Sequence, residues 1–91
     1  MKKRIRAIVK GHVQGVGFRW FTVRAAQNRG ITGWVRNNPN GTVETVAEGD
    51  ADSIREFIDE LHRGPMSAAV KSVDYNEEEP TGEVASFGLP H

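Results

Sequence analysis

The sequence predicts a single α+β domain in which two helices alternate with strands in the order β-α-β-β-α-β. Three kinds of observation predict it: short segments of alternating polar and apolar residues, two segments with apolar residues at helical spacing, and glycine- or proline-containing turns between them. Two split βαβ units in this order form an antiparallel sheet with both helices on one face, the ferredoxin-like arrangement. We expect residues 1–91 to form this one domain.

The first predicted strand leads through a glycine-rich loop into a helix. Polar and apolar residues alternate over residues 5–10, with Ile8 as the exception. Residues 11–17 follow and contain three glycines. Residues 18–29 have apolar side chains at positions i, i+3 and i+7, which predicts a helix, and Gly30 directly after them favours a helix end.

A hairpin and a second helix come next. Residues 31–37 and 42–48 are predicted to pair, because the connection Asn38-Pro39-Asn40-Gly41 has strong turn chemistry. Asp50 suits a helix N-cap, and apolar residues at i, i+3, i+4 and i+7 after it predict an amphipathic helix. Gly64 and the proline after it end this helix.

The C-terminal part predicts the strand that completes the order. Residues 70–75 are predicted to form it, and residues 77–82 an exposed turn in which the three glutamates are solvated. Apolar residues alternate at Ala85, Phe87 and Leu89, which predicts a short closing strand.

Charge is divided unevenly along the chain, although the formal net charge is zero. The first 43 residues contain no Asp or Glu but hold nine cations: Lys2, Lys3, Arg4, Arg6, Lys10, Arg19, Arg24, Arg29 and Arg36. All 12 acids follow, beginning with Glu44. Such asymmetry indicates an anion-binding first half. For most of these cations, however, we favour pairing with acids of neighbouring elements.

Composition excludes several classes of protein. No apolar run is long enough to span a bilayer. The chain has no cysteine, which excludes disulfides and thiolate metal sites and is compatible with a cytoplasmic location. The histidines, His12, His62 and His91, are scattered, so we expect no metal site.

The loop over residues 11–17 has the form of an anion cradle, since glycines let successive N–H groups converge at a helix N-terminus. It lacks the Gly-Lys-Ser/Thr of a P-loop, and Trp20 stands where a dinucleotide fingerprint has its third glycine. Arg19, in the first helical turn, can close the open side of the cradle with a bidentate contact to phosphate. On spacing alone, a tight turn beside an incidental surface arginine is an equal alternative.

Two motifs carry a resemblance to a known family. The segment Gly11-His12-Val13-Gln14-Gly15-Val16-Gly17-Phe18-Arg19 resembles the G-x-V-Q-G-V-x-F-R signature of the acylphosphatase family. A second segment, Gly33-Trp34-Val35-Arg36-Asn37 followed by Gly41-Thr42-Val43, is similar to that family's G-W-V-x-N…G-T-V block. The resemblance covers essentially the whole chain and weakens after Gly64. The family's fold is the ferredoxin-like one already predicted from the pattern of elements.

The resemblance implies an enzyme that hydrolyses acyl phosphates. We expect it to act without metal or cofactor, to be a cytoplasmic monomer, and to be inhibited by inorganic phosphate or sulfate. It assigns the catalytic arginine to Arg19 and the asparagine that orients the attacking water to Asn37. The phosphoryl group would also be held by the backbone amides of Gln14, Gly15, Val16, Gly17 and Phe18.

Two other functions remain open: an RNA-binding module on the same fold and a non-catalytic anion-binding domain. RNA-recognition domains need exposed aromatic residues on their central strands. The predicted strand over residues 42–48 has none and carries two acids, which argues against RNA and other nucleic acids as partners.

Several side chains near the motifs have predicted supporting roles. Phe18 and Phe21 are expected in the core, and His12 at the rim of the loop. Trp20 and Trp34 either line the acyl side of a pocket or only pack, and for Trp34 we favour packing against the sheet.

Overall fold

The computed structural model describes residues 1–82 and 85–90, which form two helices and five strands. These elements are β1 (Lys2–His12), α1 (Phe18–Gln27), β2 (Thr32–Asn37), β3 (Val43–Asp50), α2 (Ala51–Arg63), β4 (Ala69–Glu78) and β5 (Phe87–Gly88). The predicted order of elements is confirmed, including the short closing strand.

The strands form one sheet in the order β4-β1-β3-β2-β5. The four longer strands are antiparallel to their neighbours, as predicted. β5 pairs in parallel with β2, so the expectation of a purely antiparallel sheet is wrong at this edge. The reason is topological. The last residues of β4 lie at the same end of the sheet as the first residues of β2. A chain that crosses the sheet at that end therefore enters β5 running in the same direction as β2.

Both helices contact the sheet and each other, so they lie on one face, with the hydrophobic core between the layers. The predicted stripe of α2 is buried, namely Ile54, Phe57, Ile58 and Leu61. In α1, Phe18 is buried as predicted, but Phe21 is only half-buried. The fully buried Thr22 occupies the core-facing position instead, and its hydroxyl donates to the Phe18 carbonyl at 2.9 Å.

Helix α1 ends at Gln27, two residues before the predicted Arg29, and a final turn closed by backbone hydrogen bonds leads to Gly30. The N–H of Ile31 donates to the Ala26 carbonyl at 3.0 Å, and that of Gly30 to the Gln27 carbonyl at 3.2 Å. Gly30 has φ 64, the left-handed conformation that this type of helix end requires. The chain can therefore turn directly from α1 into β2.

Ion pairs on the sheet and between the helices account for most of the uneven charge. Among the described residues, six of the nine cations of the first half pair with acids: Lys3, Arg4, Arg6, Lys10, Arg29 and Arg36. The prediction of an exposed turn from Glu77 is wrong at its start. β4 extends to Glu78, because that carboxylate accepts hydrogen bonds from Arg4 and Arg6 on the neighbouring strand.

Within residues 1–82 and 85–90, no helix has the length and apolar character needed to cross a membrane.

Candidate active site

The loop that follows β1 and the first turn of α1 surround a hollow of ≈ 220 Å³ at one end of the sheet. β2 contributes its last residue to the same hollow. The lining residues are Val13, Gly15, Gly17, Phe18, Arg19, Trp20 and Asn37. The fold thus brings Arg19 and Asn37 to one concavity, although a helix and most of a strand separate them in sequence.

The loop before α1 has a backbone conformation that depends on two glycines. Gly15 has φ 74 and Gly17, the N-cap of α1, has φ 79, both in the left-handed region. A Cβ atom at either position would meet nothing within 4 Å, so these positions need glycine for its backbone conformation rather than for space.

The N–H groups of this loop are free to bind an anion. Within the described part of the chain, none of the N–H groups of residues 14–18 donates to a protein acceptor. The first turn of α1 contains no acidic residue, so its partial positive charge is not neutralised locally. A concave loop with unpaired N–H groups at a helix N-terminus favours phosphate-like anions.

Arg19 differs from most cations of the first half because it has no partner. Its side chain is exposed and makes no hydrogen bond or ion pair with any residue that the structure describes. Only Lys2 and Arg24 share this property among the nine cations, again counting only contacts between described residues. The guanidinium is therefore available to a ligand in the hollow.

Asn37 is half-buried at the end of β2, and its carboxamide makes no hydrogen bond within residues 1–82 and 85–90. The turn after it is firmly closed. The N–H of Asn38 donates to the Thr42 carbonyl at 2.8 Å, and Asn40 Oδ1 accepts from the Thr42 N–H at 3.1 Å. Asn38 and Asn40 are thus turn-forming residues, as predicted. Asn37, the last residue of β2, keeps a side-chain amide that has no partner in the described part of the chain.

Gln14 has a second role that the sequence analysis missed. Its Nε2 donates to the carbonyl oxygens of Asn38 at 2.7 Å and Thr42 at 2.9 Å. These two bonds tie the loop to the strand end that carries Asn37. No periodicity or spacing in the sequence indicates a contact between these segments, because it forms only when β1 and β2 lie in one sheet. Of the five residues predicted to hold the phosphoryl group with their amides, Gly15, Gly17 and Phe18 line the hollow, and Gln14 and Val16 do not.

The remaining candidates separate into residues at the site and residues elsewhere. Trp20 lines the hollow and its side chain is 63% exposed. Trp34 does not line it and packs on the sheet face opposite the helices, with the guanidinium carbons of Arg36 and Arg6 5.1 Å and 5.6 Å from the ring centre. His12 is exposed next to the loop.

Metal ligands are not clustered in the described residues, where no group of three or more His, Cys, Asp or Glu side chains could hold an ion. His91 lies outside the described residues. The absence of a metal from the reaction therefore remains a prediction.

Comparison with known proteins identifies the family. The profile of the acylphosphatase family matches residues 5–89. The chain belongs to the acylphosphatase family. This confirms the resemblance drawn from the two motifs, and the match extends beyond both of them.

Similar acylphosphatases are known from several organisms. The acylphosphatase of Moorella thermoacetica is 51% identical over 80 residues, which cover 88% of this chain and 86% of that protein. The crystal structure of the Bacillus subtilis acylphosphatase covers 100% of both chains with a TM-score of 0.94 and 33% identity. That of the Coxiella burnetii acylphosphatase covers 98% of this chain and 93% of its own, with a TM-score of 0.93 and 37% identity. These similarities confirm the ferredoxin-like α+β fold.

Proposed function

We propose that this chain hydrolyses the carboxyl–phosphate bond of acyl phosphates by direct attack of water, with Arg19 and Asn37 as its catalytic residues. Family membership supports the reaction class. The observation that carries the residue roles concerns a guanidinium, a carboxamide and a loop whose N–H groups have no partner among the described residues. All three line the same hollow. The Oδ1 atom of Asn37 can accept a hydrogen bond from water, a function that a domain which only binds anions does not need, so this combination favours an enzyme.

The phosphoryl group would be held by the guanidinium of Arg19 and the backbone amides of residues 14–18. Phosphoryl transfer passes through a loose transition state whose charge lies on three equatorial oxygens. Fixed N–H donors and a forked guanidinium stabilise that charge without rearranging during the reaction. The two left-handed glycines support this assignment, since they keep the loop concave and its N–H groups unpaired.

The attacking water would donate a hydrogen bond to Oδ1 of Asn37, which aims it at phosphorus in line with the leaving group. The new bond joins the water oxygen to phosphorus, and the P–O bond to the acyl group breaks with its electron pair. The products are a carboxylate, phosphate and one proton released to solvent. A carboxylate leaves readily because its conjugate acid has a pKa of about 4, so no general acid is needed. This explains how a site without a carboxylate or metal can be sufficient.

Several further properties belong to this proposal. We expect a monomer of one domain over residues 1–91, located in the cytoplasm and active without a cofactor. Its substrate is a small-molecule acyl phosphate, and inorganic phosphate or sulfate is expected to inhibit by occupying the cradle. The RNA-binding alternative is disfavoured because Glu44 and Glu48, on the central strand, are buried carboxylates paired with arginines.

The decisive experiment is hydrolysis of acetyl and benzoyl phosphate by the purified chain with excess chelator present. We expect turnover of both compounds and none of a phosphate monoester such as phenyl phosphate, whose leaving group is far more basic. Loss of activity on chelation, restored by a divalent cation, would disprove the metal-independent mechanism. Bound phosphate without turnover would instead support the non-catalytic domain.

A further inference from the structure

One side chain of the loop is hydrogen-bonded to the turn that follows Asn37. The Nε2 atom of Gln14 donates to the carbonyl oxygens of Asn38 at 2.7 Å and Thr42 at 2.9 Å. A primary amide has two N–H donors, so these two carbonyls use both of them. Because both partners are acceptors, they also fix which end of the Gln14 carboxamide faces the turn. We call this pair of hydrogen bonds the Gln14 bridge.

The two carbonyl groups belong to the residues that close the turn between β2 and β3. Asn38 comes directly after Asn37, and its N–H donates to the Thr42 carbonyl at 2.8 Å. Asn37 itself pairs with Val43, at the end of the register between β2 and β3. The Gln14 bridge therefore acts on the turn within one residue of Asn37.

The loop end of the bridge is anchored in the core. Val13, directly before Gln14, is buried, and so is Phe18 at the start of α1. The backbone between them has the left-handed conformations of Gly15 and Gly17. Core packing and these glycines therefore hold the loop without the side chain of Gln14, and the bridge fixes the position of the turn relative to it.

The proposed reaction needs the loop and the end of β2 to keep a fixed separation. Arg19 and the loop amides would hold the phosphoryl group, and Asn37 would hold the water. The loop follows β1, and β3 lies between β1 and β2 in the sheet, so the two halves of the site stand on strands that are not neighbours. A misplacement of about 1 Å can cost on the order of 100-fold in rate. A direct link between the two halves removes this freedom.

We propose that Gln14 is a positioning residue, whose side chain sets the place of the Asn37 carboxamide relative to the bound phosphoryl group. It supports the attack of water and not the binding of the anion. This inference rests on the proposed function, since it assumes that Asn37 orients the water. Gln14 thus contributes its backbone N–H to the cradle and its side chain to the geometry of attack.

Substitution of Gln14 should separate turnover from anion binding. Gln14→Met removes both donors and keeps an uncharged side chain of similar length. We expect kcat for benzoyl phosphate to fall about tenfold, as for a small displacement of the group that orients the water. The inhibition constant of inorganic phosphate should stay close to the wild-type value, because the loop amides and Arg19 remain. Gln14→Glu keeps the shape but turns oxygen atoms towards the two carbonyls, so it should lower kcat further.

Gln27→Met is the matched control. The Nε2 atom of Gln27 donates to the Phe87 carbonyl at 3.2 Å, so it also joins two distant segments through a side-chain amide. Gln27 is the last residue of α1 and does not line the hollow. Its substitution should leave kcat unchanged. An equal loss of kcat in Gln14→Met and Gln27→Met would show a general loosening of the fold and overturn the proposal.

A double-mutant cycle tests whether Gln14 acts through Asn37. If it does, Gln14→Met should not lower kcat further in a chain that already carries Asn37→Ala, whereas independent contributions would multiply. A further loss as large as that of Gln14→Met alone overturns the proposal. An unchanged kcat in Gln14→Met, or an equal loss of phosphate affinity, also overturns it.

A measurement without turnover separates this proposal from the catalytic one. NMR relaxation of the phosphate-bound chain gives the order parameter of the Asn37 side-chain amide, and the same spectra show whether each variant is folded. We expect a lower order parameter in Gln14→Met and no change in Gln27→Met. An unchanged value in Gln14→Met overturns the proposal even if turnover is fast. Full activity of Asn37→Ala would instead disprove the role proposed for Asn37, while the order parameter would still support or overturn its placement by Gln14.

Discussion

At the scale of single residues, Arg19 provides a fork of donors that a lysine ammonium cannot reproduce. We expect Arg19→Lys to lower kcat/KM for benzoyl phosphate on the order of 100-fold, because an ammonium cannot make the bidentate contact. The thermal unfolding midpoint should not change, since the side chain is exposed and has no protein partner among the described residues. Arg55→Lys, on the exposed face of α2, is the control. Retention of most activity by Arg19→Lys would exclude the bidentate role.

Asn37 is expected to act on the water rather than on the phosphoryl group. Asn37→Ala should therefore lower kcat about 100-fold, the effect of losing one preorganised contact in the transition state. The inhibition constant of inorganic phosphate should stay the same. Steady-state kinetics with phosphate as inhibitor gives both values, and Asn40→Ala, in the adjacent turn, serves as the control. A large loss of phosphate affinity in Asn37→Ala would instead make Asn37 part of the cradle.

At the scale of elements, α1 has a left-handed glycine at each end, and the two ends serve different purposes. Gly17 and Gly30 have φ 79 and φ 64, and neither has an atom within 4 Å of an added Cβ. Replacing either with Ala should reduce the free energy of unfolding by about 1 kcal/mol, the cost of the left-handed conformation. Only Gly17→Ala should also weaken phosphate binding, because it alone alters the cradle.

Urea denaturation and phosphate inhibition measured on both variants test this difference. Unchanged phosphate affinity in Gly17→Ala would mean that the loop tolerates the change, and that the cradle does not depend on its backbone conformation.

The sequence predicts the type of each element better than its length. Amphipathic periodicity located α2 closely, whereas α1 ends at Gln27, two residues before its predicted end. β1 and β4 extend several residues beyond the predicted strands. Their extra residues are charged or exposed, so they give no alternation pattern. They are strands because each supplies the other's backbone hydrogen bonds and ion pairs across the sheet.

At the scale of the whole molecule, ion pairs on the sheet couple folding to pH. The pKa of Glu48 is lowered by hydrogen bonds from the backbone N–H groups of Thr81 and Gly82 and from the Arg4 guanidinium. Burial opposes this effect but does not outweigh it. The Arg6 and Arg4 guanidinium groups outweigh burial and lower the pKa of Glu78. Burial raises the pKa of Glu44, but hydrogen bonds from Arg6 and Arg36 overcome this, and the net pKa is lowered.

These shifts predict acid destabilisation. A carboxylate with a lower pKa in the folded state contributes stability that is present above its unfolded pKa and is lost as pH falls through the folded value. The free energy of unfolding should therefore be steady near neutral pH and decrease as the pH falls below about 4.5, the ordinary glutamate pKa. Urea denaturation at a series of pH values measures this decrease.

Substitution identifies the carboxylate responsible. Glu48→Gln should be less stable at pH 7 and should show a shallower decrease at acidic pH than the wild-type chain. Glu77→Gln, which removes an exposed partner of Lys3, is the control and should follow the wild-type curve. Parallel curves for Glu48→Gln and the wild type would show that Glu48 does not contribute to the acid sensitivity.

The sequence by itself determined the order of elements, the glycine-rich loop and the two motifs that contain Arg19 and Asn37. These are local properties, because periodicity, turn chemistry and short motifs act over a few residues. Only the tertiary structure decided that β5 runs parallel to β2, that Gln14 ties the loop to the hairpin, and that Arg19 and Asn37 line one hollow. Each of these depends on contacts between segments far apart in the chain, and no local pattern records them.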